Sequence, residues 1–387
     1  MNKPLAPVPQ ADAGNPAGPA EEEGCGILSI DLGAIVDNWR ALGRAATPAE
    51  CAAVIKADAY GCGTEPVARA LAKAGCKTFF VAHLSEARRA RAVAPDAAIY
   101  VLNGLASGTA PLFAQARLRP VIGSLVELAE WDAFVTTQGW DGGAALHVDT
   151  GMNRLGVSPD EAAAVAPRLA TERHGLTLLM SHFVTSEVPQ HPLNERQIAT
   201  FREIRSLFRG LPASLSNSSG IYLGASAHCD LVRPGYALYG GNPTPQQPNP
   251  MQPVIGLQAR IVQVRAVGRG GTVGYNATWT ARHDSRIAIV SVGYGDGYLR
   301  SASPSDRGPG GEAVVAGKRC PIVGRISMDL LAIDVTALRE ADARRGDLAT
   351  LIGRDLGVDE VAEKAGTIGY EILTSLGRRY ARIYRGG

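Results

Sequence analysis

No run of eighteen uninterrupted apolar residues occurs in this chain, so nothing in it reads as a helix that crosses a membrane. Cysteine is sparse. The six cysteines (Cys25, Cys51, Cys62, Cys76, Cys229, Cys320) are scattered, with no CxxC pair and no zinc-ligand spacing. That excludes a disulfide framework and a zinc site, no metal is expected, and free thiols in a reducing compartment are the simplest reading. An excess of one charge is missing too. With 39 Lys and Arg against 37 Asp and Glu the net charge is +2, which gives no reason to expect nucleic acid or another polyanion as partner. No G-x-G-x-x-G turn follows an early strand, which argues against an open dinucleotide-binding sheet. Residues 1–24, rich in Ala, Pro and Gly, lack the apolar core of a signal peptide. They read as a disordered N-terminal tail, and the expected compartment is the cytoplasm.

What is present is an ordinary globular composition, 45% hydrophobic and 20% charged over 387 residues, long enough for two domains. Residues 27–32 read as a strand and 33–46 as a helix. From residue 51 short apolar runs alternate with helix-length segments. Eight candidate strands fall at 51–56, 78–82, 98–103, 118–122, 144–149, 176–182, 213–217 and 229–233. Helical stretches fit between most of them, at 63–74, 84–93, 124–136, 159–171 and 191–209. Eight strand–helix repeats predict a closed parallel barrel. The Pro-rich stretch Asn242–Pro250 ends that rhythm. Beyond it come β-rich runs at Ile255–Val267, Arg286–Gly293, Glu312–Val323, Leu330–Val335 and Asp347–Ile352, with helical periodicity only at 358–365. The fold expected is α/β plus β: an N-terminal (β/α)8 TIM-type barrel over 25–250, followed by a mostly β C-terminal domain over 251–387. The 27–32 strand is expected to return and pair with that second domain.

The barrel reading gives meaning to one lysine. Lys56 closes the apolar run Ala52-Ala53-Val54-Ile55, at the strand end where parallel barrels place their chemistry. A lysine in apolar surroundings is costly unless paired, neutral or covalently used. Alone, it reads as a side chain reaching out to solvent. Arg154, His182, Asn217, Ser218 and Arg233 fall at or just beyond later strand ends, however, and together they read as an active site. The last two loops carry Ser218-Ser219-Gly220 and Pro234-Gly235-Tyr236, and loops there are the usual phosphate site of such barrels. A strand-end lysine, a phosphate site and an arginine between them suggest pyridoxal 5'-phosphate, held by the lysine as a Schiff base.

In these residues the chain resembles the alanine racemases, fold-type III enzymes dependent on pyridoxal phosphate. The likeness rests on Val54–Gly61, Val148–Gly156, Ser181-His182-Phe183, Asn217-Ser218 and Arg233–Gly240 in the first half. In the second half it rests on Val273–Ala281, Gly293-Tyr294-Gly295-Asp296-Gly297, Gly324–Asp329 and Ile368-Gly369-Tyr370-Glu371. The resemblance implies interconversion of L-alanine and D-alanine, supplying D-alanine for peptidoglycan or serving alanine catabolism. It implies a homodimer with shared active sites. Lys56 is then the Schiff-base lysine and the base on the D-alanine face, and Tyr294 of the other subunit the base for L-alanine. His182 and Arg233 line up from the tyrosine to the cofactor ring. Tyr60, Ser218, Gly235, Tyr236 and Tyr370 serve the phosphate, Gly235 and Tyr236 through backbone N–H groups, and Asn217 stands with them. Arg154 and the Met328 backbone serve the substrate carboxylate.

Two positions depart from the family pattern. Many members carry a carbamylated lysine where this chain has His147, and that lysine positions the arginine matched by Arg154. Here a small anion or another acceptor has to take over. Cys62 in the loop after Tyr60 is the other departure, expected to be without effect. Three other readings stand beside the first. A racemase of broader scope, for serine, lysine or arginine, uses the same bases. A decarboxylase of the same fold type would put an acidic residue where Arg233 stands. A non-catalytic carrier of the cofactor would lack the β domain.

Overall fold

The computed structural model describes residues 19–21, 23–24, 26–167, 175–304 and 309–387. Most of the tail expected over 1–24 lies outside them, as does the end of the helix expected over 159–171. The chain forms two units. The first strand, β1 (Gly26–Asp31), is followed without a loop by the helix Leu32–Ala46. Asp31 makes that switch: its carboxylate accepts the Ala34 N–H at 2.9 Å and caps the first turn.

The barrel unit comprises Ile30–Ile255, Gly353–Ser375 and Tyr384–Gly387. Its strands are β2 (Glu50–Cys51), β3 (Ala53–Val54), β4 (Thr78–Val81), β5 (Ala98–Val101), β6 (Arg119–Ile122), β7 (Ala144–His147), β8 (Leu176–Met180), β9 (Ala213–Ser214) and β10 (Leu231–Val232). From β3 to β9 they pair in chain order, and the pairs are parallel. β10 pairs in parallel with β2, setting Leu231 opposite Glu50. Backbone bonds from Asp230 N to Ala213 O at 3.0 Å and from Arg233 N to Ser216 O at 2.8 Å tie β10 to the β9 segment. The ring is therefore closed, as the eightfold rhythm predicts. The continuous runs read as buried strands are buried: all four residues of β4 are inside, Phe79 and Phe80 completely.

The expected strand 51–56 is split at Ala52, because β2 pairs with β10 and β3 with β4. Ladder bonds still run through Ile55, whose N–H reaches Phe80 O at 2.8 Å, so Lys56 is the first residue past the ladder. Regular pairing is also shorter than expected at 213–217 and 229–233. Crossover helices start on local caps: the Ser124 hydroxyl accepts from Glu127 N, and Ser158 and Glu161 form a capping box with Pro159 in the first turn. The helices Val358–Lys364 and Gly369–Ser375 also belong to this unit, whereas the sequence places them with the β-rich half. They bury Val358, Val361, Ala362, Ile372 and Leu373.

The β unit comprises Gly256–Ile352, Leu376–Ile383 and the first residues of β1. Its strands are β11 (Ile255–Val267), β12 (Thr272–Val273), β13 (Trp279–Thr280), β14 (Ser285–Val290), β15 (Glu312–Val315), β16 (Lys318–Val323), β17 (Leu331–Asp334), β18 (Leu348–Ile352) and β19 (Ala381–Arg385). The sheet order is β14-β17-β16-β15-β18-β11-β1-β19, so β1 pairs where the sequence expected it to. β11 serves two neighbours. Leu257–Arg260 pairs with β18 and Ile261–Val267 with β14, across a register shift after Ile261. Six strands thereby close on themselves. Over Ile255–Ile261 burial alternates residue by residue, the signature of one core face. The β-rich run 312–323 is a hairpin. Ala316 and Gly317 both take positive φ, 48° and 75°, as its two-residue turn requires.

Candidate active site at the barrel strand ends

A cavity of about 690 Å³ opens at the C-terminal ends of the barrel strands. Lys56, Tyr60, His147, Arg154, His182, Asn217, Ser218, Arg233, Gly235, Tyr236 and Tyr370 all line it, so the structure gathers every site residue predicted for the barrel half.

Lys56 begins the turn that Gly61 signals in the sequence, but the left-handed stretch starts well before that glycine. Ala57, Asp58, Ala59 and Tyr60 all sit in the left-handed region, with φ of 52°, 55°, 52° and 53°. Non-glycine residues resist that conformation by about 1–2 kcal/mol each, so the turn holds strain on the order of 4–8 kcal/mol. Neighbouring groups hold it. The Ala57 N–H donates to the Glu86 carboxylate at 2.6 Å, and the Asp58 carboxylate accepts from Thr64 N and Oγ1 at 3.0 and 3.1 Å. Arg89 pairs with Asp58 at 2.8 Å and with Glu65 at 2.5 Å. Burial, and then the charge of Arg154, hold the Lys56 amine below the usual lysine range, while Glu86 opposes them.

Arg233 lies fully inside the barrel. Its guanidinium donates to Ser181 O at 2.6 Å, to Leu215 O at 3.4 Å and to the Ser214 hydroxyl. It also meets His182 Nδ1 at 3.4 Å and stands over the Phe80 ring, 5.8 Å from the centroid. Burial brings its pKa down to about 10, which still leaves it protonated near neutral pH. Burial, and then the Arg233 charge, push His182 well below the ordinary histidine value, and the same two causes bring His147 to about 4. Both imidazoles are neutral at pH 7. Because a guanidinium only donates, His182 Nδ1 is the acceptor and its proton sits on Nε2. His147 therefore supplies no negative charge for Arg154, and Arg154 makes no ion pair among the described residues.

At the opposite wall the Ser218 oxygen accepts from Gly235 N at 3.0 Å and Ala237 N at 3.2 Å. Gly235 N–H, expected to be free for a phosphate, is thus engaged. The Ser218 hydroxyl proton and the Tyr236 N–H are left unused among the described residues. Tyr236 is clamped. It stacks on Tyr370 at 4.0 Å, donates to Asp359 at 2.5 Å, and passes so close to Gly369 that a Cβ there would lie 1.6 Å from its oxygen. Tyr370 in turn donates to Glu187 at 3.2 Å. Tyr60 stacks on Tyr239 at 4.7 Å, and a Cβ on Gly235 would lie 2.5 Å from the Tyr60 oxygen. The Tyr60 hydroxyl, deeply buried, has no partner among the described residues. Asn217 accepts from Ser186 Oγ and Gly220 N, each at 2.9 Å, and so braces the loop.

Tyr294 and Met328 belong to the β unit. Tyr294 opens the short turn Tyr294–Asp296 and is 41% exposed, while Met328 is 54% exposed. Tyr294 N donates to Ser327 O at 3.0 Å and Gly295 N to Met328 O at 2.8 Å. Only glycine fits at 293, where a Cβ would lie 2.2 Å from Ser327 O. The Met328 N–H is unpaired among the described residues. Asp296, buried, accepts from Gly293 N at 2.9 Å and pairs with Arg379 at 3.2 Å. Sequence reasoning missed Glu86, Arg89, Glu187, Tyr239 and Asp359, none of which stands at a strand end. Cys62 is fully buried, away from the cavity lining.

Comparison with known proteins covers most of the chain. The profile "Alanine racemase, N-terminal domain" matches residues 30–243, and "Alanine racemase, C-terminal domain" matches 254–384. An alanine racemase of Methylobacterium sp. (strain 4-46) is 58% identical over 357 residues, covering 92% of this chain and 97% of that one. The crystal structure of alanine racemase from Bartonella henselae with covalently bound pyridoxal phosphate matches at a TM-score of 0.88 with 37% identity, covering 93% of this chain and 99% of that one. Biosynthetic alanine racemase from Pseudomonas aeruginosa matches at 0.87 with 36% identity, covering 94% and 100%.

Proposed function

The chain belongs to the alanine racemase family and interconverts L-alanine and D-alanine, and on that premise we propose that it does so with pyridoxal phosphate between two proton carriers, Lys56 and Tyr294. The barrel cavity suits that group. It offers an amine, an unused buried tyrosine hydroxyl at Tyr60, the Tyr236 N–H and the Ser218 hydroxyl, with glycine at 235 where a side chain would collide. Lys56 would hold the group through its aldehyde, Tyr60, Ser218, Tyr236 and Tyr370 would take its phosphate, and Arg233 would serve its ring nitrogen. When bound, the cofactor withdraws electrons from the substrate's α-carbon and so acidifies its proton.

Racemisation removes that proton from one face and returns one to the other. Lys56, with its amine held below the usual range, serves the D-alanine face. Tyr294 serves the L-alanine face. A tyrosine acts as a base only if its anion is stabilised, and the neutral His182, with its proton on Nε2 and Arg233 behind Nδ1, is the donor for that purpose. Arg154 and the unpaired Met328 N–H take the substrate carboxylate.

The observation that carries this reading is the exposure of Tyr294. It stands with Tyr275, Met328 and Leu330, all exposed on the β unit, while every residue lining the cavity belongs to the barrel unit. We assign Tyr294 and Met328 to the cavity of a second copy, which makes the active form a homodimer with shared sites. Dilution below the dimer dissociation constant should abolish turnover, and full activity in isolated monomers would refute the assignment. Among the described residues no helix is long and apolar enough to cross a membrane, in keeping with a cytoplasmic site of action.

Solvent deuterium exchange into L-alanine, D-alanine and L-serine, followed by chirality, tests the chemistry. Exchange with loss of optical purity in alanine, well above serine, is expected. Exchange with retained chirality would leave only one working base, and the pairing of Lys56 with Tyr294 would fall.

A further inference from the structure

Beyond the residues that touch cofactor or substrate, one acidic side chain stands at the origin of the Lys56 turn. Glu86 lies in the first turn of the helix Leu84–Val93, which follows the neighbouring barrel strand β4. Its Oε1 accepts the Ala57 N–H at 2.6 Å, and its Oε2 accepts Ala82 N at 2.8 Å and His83 N at 3.1 Å. Three residues on, along the same helix face, Arg89 bridges Asp58 at 2.8 Å and Glu65 at 2.5 Å. One helix therefore grips the strained segment at two consecutive residues, 57 and 58, directly after Lys56. A carboxylate with both oxygens engaged by backbone N–H groups is fixed in place. Among the groups acting on the Lys56 amine, Arg154 opposes its proton and Glu86 favours it.

We propose that Glu86 is a positioning residue for the racemase reaction: through the Ala57 N–H it fixes the left-handed turn that aims the Lys56 amine, and it sets a carboxylate against the segment that carries that amine. The inference rests on the assignment of Lys56 as the cofactor's lysine and D-face base. Arg89 completes the grip through Asp58. Because Lys56 takes the proton from D-alanine and gives one back when L-alanine is the substrate, Glu86 bears on Lys56 as base in one direction and as acid in the other, and it acts on Tyr294 in neither.

The test uses the cofactor-loaded dimer with Glu86→Gln, which keeps one acceptor oxygen for Ala57 and removes the charge. Removing a negative neighbour lowers the pKa of a cation, so the base form of Lys56 persists to lower pH. For D-alanine the acid limb of kcat, which reports groups in the substrate complex, is expected to move down by about half a pH unit or more. For L-alanine it is expected to stay in place. Glu86→Ala also frees three N–H groups and is expected to lower kcat in both directions by about tenfold or more, without loss of the bound cofactor. A uniform fall in both directions for Glu86→Gln, with neither limb displaced, would overturn the inference, since a merely structural residue behaves in that way. Borohydride reduction of the loaded enzyme and mass mapping of the labelled peptide separates the two possible failures. A label on another lysine sinks the Lys56 assignment itself, whereas a label on Lys56 with unmoved limbs sinks only the role of Glu86.

Discussion

Lys56 and Tyr294 both stand at the start of tight turns, and those turns differ in how the backbone is accommodated. After Lys56 four non-glycine residues take left-handed conformations, and carboxylates and a guanidinium from a neighbouring helix hold them there. Around Tyr294 the backbone bonds to itself, to Ser327 O and Met328 O, and the close approach is made possible by glycine at 293. Both turns use a carboxylate, since Asp296 accepts Gly293 N and pairs with Arg379, but only the Tyr294 turn also depends on a glycine that lets the backbone close up. The Lys56 turn can be tuned through the side chains that brace it. The Tyr294 turn leaves no room for change at 293.

The sharpest way to break that comparison is Tyr294→Phe. Turnover of L-alanine should fall by about 10³-fold, the scale of a lost general base, while the absorption of the bound cofactor stays as it was. Loss of cofactor in that variant would show that Tyr294 is placed wrongly. The barrel side should answer to acid instead. His147 binds its proton only near pH 4 in the folded chain, because of burial and then Arg233, against 6.5 as the ordinary value. Between those values the unfolded chain binds more protons. Stability is therefore full above about pH 6.5 and falls as the pH drops towards 4, by up to about 3 kcal/mol for this group. His147→Gln should flatten that stretch of the melting-temperature curve, and an unchanged slope would mean that other groups set it. Gly293→Ala should have a smaller effect on stability, about 1–3 kcal/mol, because the turn must open around the new methyl. Its melting point should drop while cofactor affinity, a barrel property, stays constant. A parallel loss of cofactor would mean that the two turns do not act separately.

Much of this was legible in the sequence, and for identifiable reasons. Parallel strands buried on both faces write themselves as apolar runs, so the barrel could be counted. Strand ends are where side chains converge, so Lys56, His182, Asn217, Ser218 and Arg233 could be picked out. A turn after Lys56 was legible from Gly61, but the left-handed conformation of residues 57–60 was not, since Ala-Asp-Ala-Tyr carries no glycine to signal positive φ. Glu86, Arg89 and Asp359 went unseen because their importance lies in what they touch from distant positions. The helical periodicity at 358–365 was legible and a helix forms there, while its grouping by contact with the barrel unit depends on tertiary packing that sequence order does not carry. The hairpin at Ala316-Gly317 hid inside one β-rich run.

The position of β1 has a consequence for how the chain is made. It precedes the barrel, whereas its sheet neighbours β11 and β19 follow it. A chain leaving the ribosome exposes Gly26–Asp31 and then the barrel strands β2 to β10 before either neighbour exists. Until then both edges of that strand are open to any passing backbone. The β unit cannot mature while synthesis is under way, and the nascent chain must keep its first strand unpaired, or shielded, through most of its own elongation.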